Sequence, residues 1–102
     1  MAVYVDKIGP TIRNKHWPYK QGCHMIADSE SELHNFAAMI GLQRAWHQNK
    51  PFGLSHYDLT VNKRRLAIKH GAELISQHGF VVRIRKARTD EISRRTKQRG
   101  TI

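Results

Sequence analysis

The sequence predicts an α/β (α+β) fold, in which a small mixed sheet of about four short strands carries two helices packed on one side. The length of 102 residues suits a single hydrophobic core. Apolar residues make up 39% of the chain and charged residues 25%, as is ordinary for a globular domain. The spacing of apolar residues also changes along the chain, from the alternation typical of strands to the three- and four-residue spacing typical of helices. We place one domain at residues 1–88 and a basic, flexible C-terminal arm at residues 89–102.

Four segments have strand-like patterns, at residues 2–5, 23–27, 72–76 and 80–85. The first is followed by Gly9-Pro10, which interrupts a strand. In the last, Phe80, Val82 and Ile84 alternate with their neighbours and would share one face, with Gly79 as the turn before them. These segments predict the sheet.

The first helix has the clearest local signal in the chain. Ser29 and Glu32 form a capping box, and Gly41 can adopt the left-handed conformation that ends a helix. Between them, one helical face is apolar and comprises Leu33, Phe36, Ala37 and Ile40.

A second helix is predicted over residues 61–70. Thr60 is its expected N-cap and Gly71 its stop. The preceding segment, which contains His56 and Asp58, is interpreted as a loop. The chain order of the elements is therefore β, β, α, α, β, β.

The chain is strongly basic. Eighteen Lys and Arg residues against eight Asp and Glu residues give a formal net charge of +10. Such an excess attracts polyanions, so we expect nucleic acid or a phosphorylated nucleotide as the partner. Six basic residues near the C-terminus are expected to contact nucleic acid: Arg83, Arg85, Lys86, Arg88, Arg94 and Arg95. A solvated tail without a partner is the alternative.

Membrane insertion and disulfide bonding are not expected. No run of apolar residues reaches the ~18 that a membrane span needs, and the first residues lack the layout of a signal peptide. Cys23 is the only cysteine and is expected to be a small core residue. We therefore expect a cytoplasmic protein.

Three histidines and one aspartate are the candidate catalytic residues: His24, His34, His56 and Asp58. Imidazole titrates near neutral pH and a carboxylate can orient it, as general acid–base chemistry requires. Together with Asp28, the same residues could assemble a metal site from distant segments. A divalent metal is compatible with them, but the spacing does not indicate one and no ligand set can be assigned. Each of these residues could equally have only a structural role.

Aromatic residues alternate with basic ones in a pattern suited to nucleotide binding, since rings stack on bases while cations neutralise phosphate. The candidate ligand-binding residues are Trp17, Tyr19, Arg44, Trp46, Tyr57, Lys63, Arg64 and Arg65. Alternatively, Trp17 and Trp46 are buried and anchor loops onto the sheet.

Several sequence blocks resemble an uncharacterised bacterial and phage family, domain of unknown function 4031. The blocks are Val3-Tyr4-Val5-Asp6, Trp17-Pro18, Cys23-His24-Met25-Ile26-Ala27-Asp28, Glu32-Leu33-His34-Asn35-Phe36-Ala37, Gly41-Leu42-Gln43-Arg44-Ala45-Trp46, His56-Tyr57-Asp58-Leu59-Thr60 and Gly71-Ala72. They cover about residues 1 to 76. The resemblance implies a fold and a set of positions, among them Asp6, but no activity. It also favours a common pocket for the residues in these blocks.

Three functions follow as hypotheses, and the sequence leaves open whether the protein is an enzyme. The first is a small basic binding module for nucleic acid or a phosphorylated nucleotide. The second is a His/Asp-based phosphodiesterase or nuclease. The third is an adaptor that binds an acidic protein through the arm. A structure separates them by showing whether His24, His34 and His56 share one cleft.

Overall fold

The computed structural model of the protein describes residues 2–11, 13, 17–49, 54–86 and 89. Within these residues there are six strands: β1 (Val3–Val5), β2 (Gly9–Pro10), β3 (Gln21–Ala27), β4 (His47–Gln48), β5 (His56–Leu59) and β6 (Glu73–Leu74). The strand order is β4-β5-β3-β1-β6, and β2 pairs with β3 outside this path. The prediction of a small mixed sheet is confirmed, with more strands than the four expected.

Strand β3 is the centre of the sheet. It pairs antiparallel with β1, where Val5 lies opposite Met25, and antiparallel with β5, where His24 lies opposite Asp58. Strand β6 joins the other edge of β1 in parallel orientation, which makes the sheet mixed. Because side chains alternate between the faces of a strand, this register decides which residues share a face.

Two helices, α1 (Glu30–Met39) and α2 (Val61–Lys69), pack on one face of the sheet, as predicted. The Ser29 hydroxyl accepts the backbone N–H of Glu32, and the Thr60 hydroxyl accepts that of Lys63. Both predicted caps are therefore present. Gly41 and Gly71 follow the helices with φ of +84° and +103°, a conformation that glycine adopts without strain.

The main core lies between this face and the two helices. Val5, Met25 and Leu59 project from the sheet and are fully buried. They meet apolar side chains of both helices, namely Leu33, Ala37 and Ala67, and of the segment after α1, namely Ile40 and Leu42. The apolar face predicted for α1 accounts for its part of this packing.

A third helix, α3, covers residues 77–86 and corrects the prediction of a strand at 80–85. Gly79 lies in its first turn and donates its N–H to the hydroxyl of Ser76, 3.0 Å away, so it is not a turn between strands. The apolar residues Phe80 and Ile84 are four apart and share a helical face, whereas Val82 is 47% exposed. The short pattern fits both periods, and the Ser76 cap favours the helix.

The loop predicted before α2 is wrong as well, because β5 occupies it. Tyr57 and Leu59 face the core, while His56 and Asp58 face the opposite side. Because His56 and Asp58 interrupt the apolar residues, this segment lacks the apolar run of a buried strand and was interpreted as a loop. The strand predicted at residues 72–76 is shorter in the structure, where β6 has only two residues.

The predicted C-terminal arm lies outside the described residues, with the exception of Thr89. Three of the six basic residues expected to contact nucleic acid, Arg88, Arg94 and Arg95, also lie outside them. Within the part of the chain that the structure describes, no helix combines the length and apolar character needed to cross a bilayer.

Candidate functional site

Three of the four predicted catalytic residues lie together on the face of the sheet that α3 covers. His24 on β3 is directly opposite Asp58 on β5, and His56 lies two residues before Asp58 on the same face. The imidazole rings of His24 and His56 meet edge to face with their centroids 5.5 Å apart. Strand alternation and register bring this group together.

Asp6, at the end of β1, orients His24. One carboxylate oxygen accepts the backbone N–H of His24 at 2.5 Å, and the other lies 2.7 Å from Nδ1 of the ring. An ionised carboxylate only accepts hydrogen bonds, so Nδ1 carries the proton and Nε2 is the basic nitrogen of the neutral ring. The hydrogen bond to Asp6 raises the pKa of His24; burial opposes this shift, and the charges of Asp6 and Asp58 add to it.

Asp58 lies between the two imidazoles. Its Oδ1 is 3.8 Å from Nε2 of His24 and 3.7 Å from Nε2 of His56. Its other oxygen accepts a hydrogen bond from the side-chain amide of Gln48 at 2.9 Å. His56 is 2% exposed, and its Nδ1 donates to the carbonyl of Leu54. Each imidazole thus presents Nε2 towards one carboxylate.

A cleft of about 940 Å³ opens over this group. His24 and Asp58 line its floor, and each side chain is about one third exposed. From α3, Phe80 stacks on His24 with ring centroids 5.1 Å apart. The remaining walls are largely apolar and include Ile8, Pro10, Trp17, Val81 and Ile84. The cleft can therefore hold a ligand with both apolar and polar parts.

Trp17 forms a fixed wall of the cleft. Its Nε1 donates to the Thr11 hydroxyl at 2.9 Å, and this hydroxyl donates to the carbonyl of Tyr19 at 2.8 Å. The ring passes so close to Gly22 that a Cβ there would lie 2.8 Å from it. Tyr19 packs edge to face on the tryptophan at 5.2 Å.

Cys23 also borders the cleft but faces the core. It is 5% exposed, as expected for a small core residue. Burial raises the pKa of its thiol to about 12. The thiol is therefore protonated at neutral pH and is a poor nucleophile.

His34 does not join the cleft, which corrects the expectation that it shares a site with His24 and His56. It lies on α1, on the opposite face of the sheet, with Nδ1 2.8 Å from the hydroxyl of the buried Tyr57. Tyr57 and Asp58 are neighbours on β5, and alternation sends their side chains to opposite faces. The sheet therefore separates His34 from the cleft.

Asp28 does not join the cleft either, and it supports the fold. Its carboxylate binds the Arg83 guanidinium at 2.7 Å and accepts hydrogen bonds from the Tyr4 hydroxyl and the Ala2 N–H. The hydrogen bond from Arg83 lowers the pKa of Asp28 despite some desolvation. The Arg83 guanidinium also lies 4.6 Å above the ring of Tyr4, a residue of β1. These contacts stabilise the packing of α3 against the sheet.

His34 instead forms a second cluster with Glu30 and His47. Glu30 Oε2 is 2.9 Å from Nε2 of His34 and 3.8 Å from Nε2 of His47, which also contacts the Ser55 hydroxyl. One ligand atom from each of the three residues lies within 4.8 Å of the others, as a metal ion requires. This combination was not predicted from the sequence, although Glu30 and His34 stand in the i, i+4 register of one helix face.

Desolvation and neighbouring groups shift pKa values around this cluster. Desolvation would raise the pKa of Glu30, but hydrogen bonds from Ser55 and His34 lower it overall. Burial lowers the pKa of His47 and raises that of Tyr57.

The residues predicted to stack on bases divide into exposed and buried rings. Tyr19 and Trp46 are each 48% exposed, and Trp17 is half-buried in the wall of the cleft. Tyr57 is 1% exposed and belongs to the core, so its predicted role in stacking is wrong. The expected aromatic surface is thus limited to three rings.

Two of the predicted ligand-binding cations have partners inside the protein. Lys63 Nζ donates to the carbonyl of Ile40 at 2.8 Å, and Arg64 Nε donates to the carbonyl of Asp6 at 3.0 Å. Among the basic residues predicted to bind a ligand or nucleic acid, four that the structure describes have exposed side chains: Arg44, Arg65, Arg85 and Lys86. These four are the better placed to contact an external anion.

Comparison with known proteins gives a family but no characterised relative. No match was found among curated proteins or among solved structures. A family model does match residues 3–87, which extends the resemblance beyond Ser76 and through α3. The chain belongs to the family described as Protein of unknown function (DUF4031).

Proposed function

We propose that the protein binds a nucleotide or a short single-stranded nucleic acid in the cleft and hydrolyses a phosphodiester bond there. The orientation of His24 carries this proposal. Asp6 accepts a hydrogen bond from Nδ1–H, so Nε2 is the basic nitrogen of the ring. Nε2 points towards Asp58 at the floor of the cleft. A histidine oriented by a carboxylate is a common general base in hydrolytic enzymes.

His24 would remove a proton from the attacking water. As the new P–O bond forms, the bond to the leaving oxygen breaks, and that oxygen takes a proton from solvent. General-base catalysis of this kind contributes roughly 10²–10⁴-fold to a rate. Only the neutral imidazole is a base, so the rate should rise as the pH increases through the raised pKa of His24.

The walls of the cleft support a nucleotide as substrate. Trp17 and Ile84 offer apolar surface for a base, and Lys7 lines the same cleft and can contact a phosphate. Asp58 would repel a phosphate, but it faces two imidazoles and can orient the attacking water. The net charge of +10 attracts such substrates from a distance.

Cleavage of labelled oligonucleotides tests the proposal. Single-stranded RNA, single-stranded DNA and duplex DNA are incubated with the full chain, in EDTA and with added Mg²⁺ or Mn²⁺. We expect cleavage by the wild type and by His70→Ala, an exposed histidine at the end of α2, and none by His24→Ala. Absence of cleavage by the wild type in all conditions, or full activity of a folded His24→Ala variant, would overturn it.

A binding module without catalysis is the second candidate, favoured by the exposed side chains of Trp46, Arg44 and Arg65. In that case the affinity for oligonucleotides falls linearly with salt on a log–log scale. Trp46→Ala should weaken binding, whereas His24→Ala should not. The adaptor hypothesis depends on residues 89–102, and it stays a prediction that deletion of these residues abolishes binding to an acidic protein.

A further inference from the structure

We propose that Glu30, His34 and His47 bind a divalent transition-metal ion of the zinc class, at a site separate from the cleft. The donor set contains two imidazole nitrogens and one carboxylate oxygen, which zinc and its neighbours in the first transition series prefer. This site does not depend on the proposed hydrolysis, because it lies on the other face of the sheet.

The spacing of the ligand atoms fits one ion. Ligands about 2.1 Å from a tetrahedral zinc stand about 3.4 Å apart. The distances from Glu30 Oε2 to Nε2 of His34 and of His47 are 2.9 and 3.8 Å, on either side of that value. Small side-chain rotations would therefore place all three around one cation.

Rigid elements hold the ligands. Glu30 and His34 lie one turn apart on α1, and His47 begins β4, where it pairs with Tyr57 on β5. An ion here would connect the first turn of α1 to this edge of the sheet. Binding should therefore stabilise the folded protein.

The neighbours of the ligands complete the site. With an ion on Nε2 of His34, Nδ1 carries the proton and donates to the hydroxyl of Tyr57, 2.8 Å away. Such partners fix the tautomer of metal-binding histidines. The Ser55 hydroxyl contacts His47 and lies beside the ligand atoms. The imidazoles are each 19% exposed and Glu30 is 64% exposed, so the ion can enter from solvent and retain a water ligand.

Calorimetric titration of the EDTA-stripped full chain with ZnCl₂ tests this site. We expect one equivalent of zinc to bind with micromolar or better affinity and to raise the melting temperature. The equivalent should be lost in His47→Ala and in Glu30→Gln, and retained in His78→Ala, an exposed histidine on α3. Tyr57→Phe should weaken binding about 10-fold while leaving the stoichiometry unchanged.

The proposal is overturned if the wild type binds no zinc equivalent, or if the equivalent survives both ligand substitutions. Glu30 is exposed, so Glu30→Gln keeps the test valid even if His47→Ala fails to fold. A zinc equivalent lost in His24→Ala but not in His47→Ala would place the ion in the cleft and also contradict it. Failure of the hydrolysis proposal leaves these expectations unchanged.

Discussion

Replacing Asp6 by Asn should change the tautomer of His24. In the wild type, both carboxylate oxygens of Asp6 accept hydrogen bonds from His24, one from the backbone N–H and one from Nδ1–H. An asparagine can accept only with its single oxygen and presents an NH₂ group to the other partner. If the oxygen keeps the backbone N–H, Nδ1 must become an acceptor and the proton moves to Nε2. The base that faces Asp58 is then lost.

The stability cost follows from the same contacts. A hydrogen bond to a charged group contributes about 1.5–3 kcal/mol, and because His24 is one third exposed we expect the loss of one such bond to cost about 1–2 kcal/mol. Asp6 raises the pKa of His24 above its ordinary 6.5. The charged pair therefore contributes fully below about pH 6.5, and its contribution is lost as the pH rises through the folded pKa. The cost of Asp6→Asn should be larger at low than at high pH.

Long-range ¹H–¹⁵N NMR spectra of the imidazoles report both effects. In the wild type at high pH, Nδ1 of His24 should be protonated, and in Asp6→Asn the proton should lie on Nε2 and the pKa should be lower. Asp28→Asn is the matched control, because Asp28 contacts Arg83 and Tyr4 and not His24. An unchanged tautomer and an unchanged pKa of His24 in Asp6→Asn would refute the reasoning.

Three further substitutions test the packing by urea unfolding. Gly22→Ala puts a Cβ 2.8 Å from the Trp17 ring and should cost about 1–3 kcal/mol while changing tryptophan fluorescence; an unchanged midpoint would mean that the ring moves freely. Leu33→Ala removes a side chain that is 1% exposed and should cost about 2–5 kcal/mol, whereas Met39→Ala, 55% exposed on the same helix, should stay within about 0.5 kcal/mol. Equal effects would contradict the assigned core. Thr60→Ala should cost about 1 kcal/mol through loss of the α2 cap, and Thr60→Ser should restore most of it. Equal stability of the two variants would exclude the cap.

The helices α1 and α2 could be predicted because their signals are local. Ser29 and Thr60 are N-caps whose partners lie three residues away, and Gly41 and Gly71 take the positive φ expected at the helix ends. Such contacts join residues within about one turn, so a local pattern predicts them. Helix α3 was predicted as a strand because a six-residue apolar pattern fits both periods. Phe80 of α3 stacks on His24, a residue far away in the sequence, so the local pattern could not show this contact.

The candidate site could be predicted only in part. His24, His56 and Asp58 were identified by residue type, but their convergence depends on the register of β3 with β5. His34 lies on α1, which packs on the other face of the sheet, and Glu30 is its partner there. No sequence pattern showed that the candidate histidines form two groups.

The sequence by itself determined the composition, the charge, the capped helices and the residue types available for chemistry, because these depend on single residues or on neighbours within one turn. Only the tertiary structure decided which of those residues meet. Strand pairing joins segments that are far apart in the chain, and a shift of one residue moves every side chain to the opposite face. For this protein, that register separates Asp6, His24 and Asp58 in the cleft from the cluster around His34.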